Sequence, residues 1–169
     1  MGDLGHRRAS SSVGPAGTCR VSLKTYEQLL SRHPFVVQKR VRWADCDPAG
    51  VVYTGKFTEY LLLAVSYFLD EIGGGHYAQW LRGLGVDTPC KGMDLVFHAA
   101  LWPEDVFEMH CHVGDVRAHS YDFHVEGSKS DGQPVFSGRF SPICIGRDVR
   151  KRVNLPPQML VALQAWQQT

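Results

Sequence analysis

Apolar positions change their period along this chain, and the changes divide it into elements. From Thr54 to Ile72 they recur every three to four residues. Phe57, Tyr60, Leu61, Ala64 and Phe68 make one stripe, which Leu62, Leu63, Val65 and Leu69 widen. Polar groups keep to a narrow line through Glu59, Ser66 and Asp70, so the pattern predicts a long helix buried on nearly every side. Gly73, Gly74 and Gly75 close it, and His76 to Arg82 reads as a further helical turn. After Gly85 the period falls to two. Met93, Leu95, Phe97, Ala99 and Leu101 predict one strand, Phe107, Met109, Cys111 and Val113 a second, and Tyr121, Phe123 and Val125 a third. Asp131-Gly132 is a hairpin signal, and Val135 to Gly146 follows as a last long strand in which Pro142 marks an edge or a bulge. Pro156 and Pro157 open a closing helix with Met159, Leu160, Leu163 and Trp166 on its apolar side.

Upstream, Phe35 to Arg42 alternates loosely and predicts the first strand. Val21 to His33 reads as a short helix: Thr25 and Gln28 fit a capping box, Leu23, Tyr26, Leu29 and Leu30 form a face, and Pro34 stops it. Met1 to Arg20, rich in Gly, Ser, Ala and Arg, reads as a disordered tail. The expected organisation is therefore a tail (1–20), a helical extension (21–34) and one α+β domain (35–169), with an antiparallel sheet against one long helix.

The first strand and the long helix are joined by WADCDPAGVVYTGKF, Trp43 to Phe57. Pro48 excludes helix at Asp47 and Gly50 is permissive, so the chain bends there. A carboxylate on that bend lies beside free backbone N–H groups at a helix N-terminus. Acyl-transfer chemistry needs both parts: a carboxylate to attack, or to deprotonate water, and donors for a carbonyl oxygen gaining charge. Asp47 is the candidate carboxylate, and the backbone near Tyr53, Thr54 and Gly55 supplies the candidate donors. Tyr53 and Phe57 suit either the wall of an acyl pocket or the core. Asp45 falls on another face of the bend and reads as structural. Cys46, between two carboxylates, has a raised pKa and is a poor nucleophile.

Other polar groups change the picture less. Glu59 reads as a solvent- or interface-facing side chain of the helix. His110, His112 and His124 sit on strands, and a zinc-type site needs three or four convergent ligands, so no metal is expected. Arg150, Lys151 and Arg152, with Arg147 and Arg139 nearby, form a solvated basic edge by default. A net charge of +1 in 169 residues gives no electrostatic case for nucleic acid or acidic lipid. Five cysteines without CxxC spacing read as reduced thiols of a cytoplasmic protein, and the longest apolar run, in Tyr60 to Leu69, is too short to span a bilayer.

DCDPAGVVY, Asp45 to Tyr53, resembles the signature of hotdog-fold acyl-CoA thioesterases of the 4-hydroxybenzoyl-CoA thioesterase type, and the resemblance extends from about Phe35 to about Pro156. It implies a hotdog fold, a sheet wrapped around the central helix. It also implies a catalytic role for Asp47, as nucleophile or as general base. It suggests that Arg150, Lys151 and Arg152 meet the phosphates of CoA, and that Arg117, His119 and Ser120 match a basic-plus-serine run at the corresponding strand turn of relatives. No cofactor is implied beyond the CoA that arrives with the substrate. Family members form dimers, commonly dimers of dimers, with sites between subunits. Thr54 stands where close relatives often carry histidine or an aromatic residue, which leaves the acyl group open. Two rivals remain. One is a hotdog protein that binds acyl-CoA or an acyl carrier protein without hydrolysing it. The other is a hydratase or dehydratase, disfavoured because no histidine lies between Trp43 and Gly75.

Overall fold

The computed structural model describes residues 25–167. Its elements, in order, are β1 (Glu27–Arg32), β2 (Phe35–Arg40), a 3-10 turn (Trp43–Asp45), α1 (Lys56–Ile72), α2 (Tyr77–Leu84), β3 (Val86–Asp87), β4 (Cys90–Phe97), β5 (Val106–Val116), β6 (Tyr121–Lys129), β7 (Pro134–Pro142), β8 (Ile145–Gly146) and α3 (Pro157–Ala165). Six strands form one antiparallel sheet in the order β1-β2-β5-β6-β7-β4, and β3 pairs with β8 in a small second sheet.

The sheet presents one apolar face to α1. Phe57, Tyr60, Leu61, Ala64, Val65 and Phe68 are the buried residues of the helix, the expected stripe with Val65 added. Phe68 meets Phe35 of β2 and Phe123 of β6, with ring centroids 4.8 and 5.3 Å away. Tyr60 lies 5.3 Å from Phe107 of β5, and Phe57 lies 5.1 Å from Phe97 of β4. The helix therefore touches both halves of the curved sheet, which is the hotdog arrangement. Leu62 remains exposed and Leu63 and Leu69 half-buried, so one flank of the helix is open in the single chain.

Three expectations need correction. Glu27–Arg32 is a strand, not part of a helix; Val21 to Lys24, and the tail before them, lie outside the described residues. Tyr26, Leu29 and Leu30 have helical spacing, but strand pairing overrides it: Leu29 lies opposite Val37, Glu27 reaches Lys39, and Tyr26 and Leu30 stay exposed on the other face. A helix here would leave the β2 edge without its ladder. The strand expected to reach Leu101 ends at Phe97, where the N–H groups of His98 and Ala99 both donate to the Val135 carbonyl and break the alternation. The last long strand is divided: β7 stops at Pro142, and Ile145–Gly146 turns away to pair with β3.

Gly138 shows how close the helix lies to the sheet. A Cβ at that position would stand 3.0 Å from Leu61 Cδ1 and 3.1 Å from Leu95 Cδ2. Truncating Leu61, which is fully buried, opens a cavity at that contact. Leu61→Ala is expected to cost about 2–5 kcal/mol in urea-unfolding free energy. Gly138→Val is expected to cost about 1–3 kcal/mol by overpacking. Midpoints unchanged in both variants would show that α1 is not seated on β7.

Candidate active site

The chain leaves β2, makes the 3-10 turn and enters a tight loop whose arms join at an antiparallel bridge between Cys46 and Val52. Two hydrogen bonds close this loop: the Asp47 N–H donates to the Val51 carbonyl, and the Tyr53 N–H donates to the Asp45 carbonyl, both at 2.9 Å. Gly50 takes the left-handed conformation at the tip, with φ 82°. The Asp47 side chain is half-buried. Its Oδ1 accepts the Ala49 N–H at 2.8 Å, an Asx turn, and its Oδ2 has no partner among the described residues.

Directly after the loop comes the N-terminus of α1. Lys56 N–H bonds back to the Tyr53 carbonyl, and Phe57 N–H to Thr54. The N–H groups of Thr54 and Gly55 have no acceptor among the described residues. Of the three expected donor positions, Tyr53 is thus spent on the loop closure, and Thr54 and Gly55 are open. They stand at the positive end of a 17-residue helix. The exposed Tyr53 ring packs over Gly55: a Cβ there would come within 2.5 Å of Tyr53 Cε1. Glycine keeps that approach free.

Beside these donors runs a groove of about 370 Å³, lined by Val51, Val52, Thr54 and Phe57 on one side and by Phe97 to Ala100 on the other. The Val52 N–H donates to the Leu101 carbonyl at 2.9 Å and fixes the two walls together. Its lining is mostly apolar, suited to an acyl group. Asp47 is on the loop that forms one wall but does not itself line the groove within a single chain.

Neighbouring polar groups divide clearly. Asp45 is buried, with Oδ2 accepting from the Arg42 N–H and the Tyr60 hydroxyl, as a structural residue would. Burial, and then Asp45 and Asp47, push the Cys46 thiol up, which makes it a poor nucleophile. Glu59 is exposed and hydrogen-bonded to Lys56 at 2.7 Å.

The basic candidates lie elsewhere. Arg117 and Ser120 line a smaller groove of about 200 Å³ with Lys91, Gly92, Asp122, Arg139 and Ser141. It sits at the far end of β5, roughly 30 Å from the Asp47 end at ~3.3 Å per residue. Arg117 binds Asp115 and Asp122 at 2.8 Å each. Burial raises the Asp122 carboxyl, but the hydrogen bonds from Arg117 and Ser141 outweigh it and hold the group below its ordinary range. His119 lies outside that groove; its carbonyl accepts the Cys144 N–H, and its Nδ1 is enclosed with no partner among the described residues. Arg150, Lys151 and Arg152 are exposed on the turn after β8, where Arg150 pairs with Asp87 at 3.2 Å. They are not walls of the Arg117 groove. His112 stacks on His124 at 5.1 Å, and among the described residues no three His, Cys, Asp or Glu side chains are grouped to hold a metal ion.

Sequence reasoning missed the second wall of the acyl-sized groove and the Asp122, Arg139 and Ser141 side of the basic one. Both depend on which strands lie side by side, and only the alternation of Ser137, Arg139 and Ser141 on one face of β7 hinted at a polar surface.

Solved structures share this fold. A thioesterase superfamily protein from Jannaschia sp. CCS1 superposes with a TM-score of 0.70 at 27% identity, covering 79% of this chain and 92% of its own. The 1,4-dihydroxy-2-naphthoyl-CoA thioesterase from Synechocystis gives 0.68 at 24% identity, covering 77% and 95%. A hypothetical protein from Staphylococcus aureus, solved in complex with CoA, gives 0.73 at 14% identity, covering 87% and 89%. No curated protein sequence matches the chain. The model of the thioesterase-like superfamily matches residues 41–163, which span the loop, both grooves and the whole sheet from β4 onward, and the chain belongs to that superfamily.

Proposed function

We propose that this protein is an acyl-CoA thioesterase that hydrolyses a thioester to a carboxylic acid and free CoA, with Asp47 as the reacting carboxylate. The observation that carries this reading is the juxtaposition of the Asp47 loop with two N–H groups, of Thr54 and Gly55, that have no acceptor among the described residues, beside an apolar groove that Thr54 lines. Acting as base, Asp47 takes a proton from water as the oxygen attacks the thioester carbonyl. The oxygen that gains charge is held by the Thr54 and Gly55 N–H groups, and collapse expels the CoA thiolate, which takes up the proton. Acting as nucleophile, Asp47 attacks the carbonyl carbon, breaks its bond to sulfur and expels the CoA thiolate, leaving a mixed anhydride; water then opens it to the product acid and the Asp47 carboxylate, and the proton released goes to the thiolate. Each donor of this kind is worth about 2.7–4 kcal/mol. Neither route uses a metal or a resident cofactor; CoA comes and goes with the acyl group.

Phe57 and Phe97 line the groove and touch each other edge to face, an aromatic surface that favours a compact planar acyl group, and an aromatic acyl-CoA such as 4-hydroxybenzoyl-CoA is the proposed class.

A second copy of the chain completes the site in this reading. β4 is an edge strand, and its Val96 and Phe97 are 55% and 48% exposed. An edge of this kind is a template for another strand. Antiparallel pairing of two β4 strands places the Cys90 end of one beside the Phe97 end of the other. The basic groove, which begins at Lys91, then lies next to the partner's acyl groove, which begins at Phe97. Arg117, Lys91 and Ser120 would meet the phosphates of CoA. Arg150, Lys151 and Arg152 form an outer basic rim, and the cytoplasm, where acyl-CoA esters are made and used, is the proposed compartment.

Thiol release measured across a panel of aromatic and aliphatic acyl-CoA esters tests the chemistry. Asp47→Asn should remain folded and lose about 10²- to 10⁴-fold in kcat. Saturable CoA binding without turnover by the native protein would instead identify a non-hydrolytic binder. Sedimentation tests the assembly: the 18.9 kDa chain should run as a dimer or a dimer of dimers, and Val96→Lys should shift it toward monomer and weaken turnover. A native monomer that turns over at full rate would refute the shared site.

A further inference from the structure

Asp45, two residues before Asp47, is tied to three separate parts of the fold. Its carboxylate Oδ2 accepts the Arg42 N–H at 3.0 Å, which fixes the exit from β2. The same oxygen accepts the Tyr60 hydroxyl at 2.9 Å, which fixes the first turns of α1. Its backbone carbonyl accepts the Tyr53 N–H at 2.9 Å, which closes the Asp47 loop and leaves Thr54 and Gly55 as the next N–H groups. Asp45 and Tyr60 are 7% and 3% exposed, so water does not compete for these bonds.

Tyr60 is itself held from several sides. The Lys39 ammonium, 4% exposed, lies 5.6 Å from the centre of its ring and is hydrogen-bonded at 2.7 Å to Glu27 of β1. Phe107 packs 5.3 Å from the ring and Phe57 5.9 Å from it. Burial, and then the Asp45 hydrogen bond, keep the phenol protonated and therefore a donor. A Tyr hydroxyl and a carboxylate buried together for stability alone are a costly choice, since apolar side chains of like shape often serve as well.

We infer that Asp45 and Tyr60 are a positioning pair that sets the Asp47 loop against the Thr54 and Gly55 donors, so that carboxylate and oxyanion site keep one fixed separation. The inference rests on the hydrolytic reading above and adds residues that do not touch the substrate. The Asp45 carboxylate meets α1 twice, through the Tyr60 hydroxyl at 2.9 Å and the Lys56 ammonium at 3.8 Å: without the Tyr60 hydroxyl the loop keeps its backbone closure and the longer Lys56 contact but loses the buried hydrogen bond that fixes it to the helix carrying the donors. Small misplacements at a reacting centre reach about 10²-fold in rate.

The test is steady-state thioester hydrolysis by the full chain carrying Tyr60→Phe, Asp45→Ala or Asp45→Asn, beside native protein and Asp47→Asn, with thermal melts of each. Tyr60→Phe removes a single oxygen and should lower kcat by roughly 10- to 10²-fold while KM stays within about twofold. Asp45→Ala should lose more, and Asp45→Asn, which retains an acceptor oxygen for Arg42 and Tyr60, should recover most of that loss at a comparable melting temperature. Folded Tyr60→Phe with native kcat overturns the inference even if Asp45→Ala fails to fold. So does Asp45→Asn as slow as Asp45→Ala. Native protein that hydrolyses no ester, or that loses nothing on Asp47→Asn, overturns the underlying reading and this inference together, an outcome distinct from a change confined to Tyr60→Phe.

Discussion

The hydrogen bond from the Tyr53 N–H to the Asp45 carbonyl is the constraint on which the site depends. It brings the two arms of the loop together one residue before the helix begins. With Tyr53 committed, the first N–H groups without an acceptor among the described residues are those of Thr54 and Gly55, at the positive end of α1. The same bond keeps Asp47 on a loop too short to wander, because its other closure, Asp47 N–H to Val51, lies two residues away. Exposed donors and a constrained acid thus arise from a single local decision of the backbone. Gly55 makes it sterically possible by letting the Tyr53 ring lie against the chain.

That local decision has an effect only because the sheet holds the helix. The aromatic contacts from Phe57 through Phe68 run along one side of α1 and engage β2, β4, β5, β6 and β7 in turn. Each large apolar side chain buried this way contributes about 1.5–3 kcal/mol, enough to seat the helix despite polar groups at its base. Those groups, Lys39, Glu27, Tyr60 and Asp45, form a connected chain and not isolated buried charges, which lowers the cost of enclosing them. The open flank at Leu62 and the exposed edge of β4 are surfaces that the single chain leaves uncovered.

Much of this was legible in the residues. The α1 stripe, the glycine stop and the Asp131-Gly132 hairpin follow from periodicity and backbone preference, which are local. Gly132 has φ 83°, as that turn demands. The poor nucleophilicity of Cys46 was also readable, because two of the groups that push its thiol up adjoin it in sequence. What failed was set by partners distant along the chain. β1 was read as helix because Tyr26, Leu29 and Leu30 have helical spacing, and its ladder with β2 overrides that local pattern. The partner of Lys39 was equally out of reach, because Glu27, which neutralises it, comes from that same misread segment. The Tyr53 N–H was expected to be free, since nothing in the sequence shows that the Asp45 carbonyl turns toward it. Arg117 and Ser120 share a groove with Arg139 and Ser141 and not with the Arg150 edge where the sequence puts Arg139, because β6 and β7 lie side by side; His119 between them stays outside it, its carbonyl bonded to the Cys144 N–H.

The most direct test of the central claim is a crystal structure of the protein with an acyl-CoA analogue in which a ketone replaces the thioester. The account places the ketone oxygen about 2.7–3.1 Å from the Thr54 and Gly55 nitrogens. It also places an Asp47 carboxylate oxygen about 3–3.5 Å from the carbonyl carbon, or one water away from it. An analogue bound with its carbonyl remote from both nitrogens, or with Asp47 turned from it and no water between, would contradict the account.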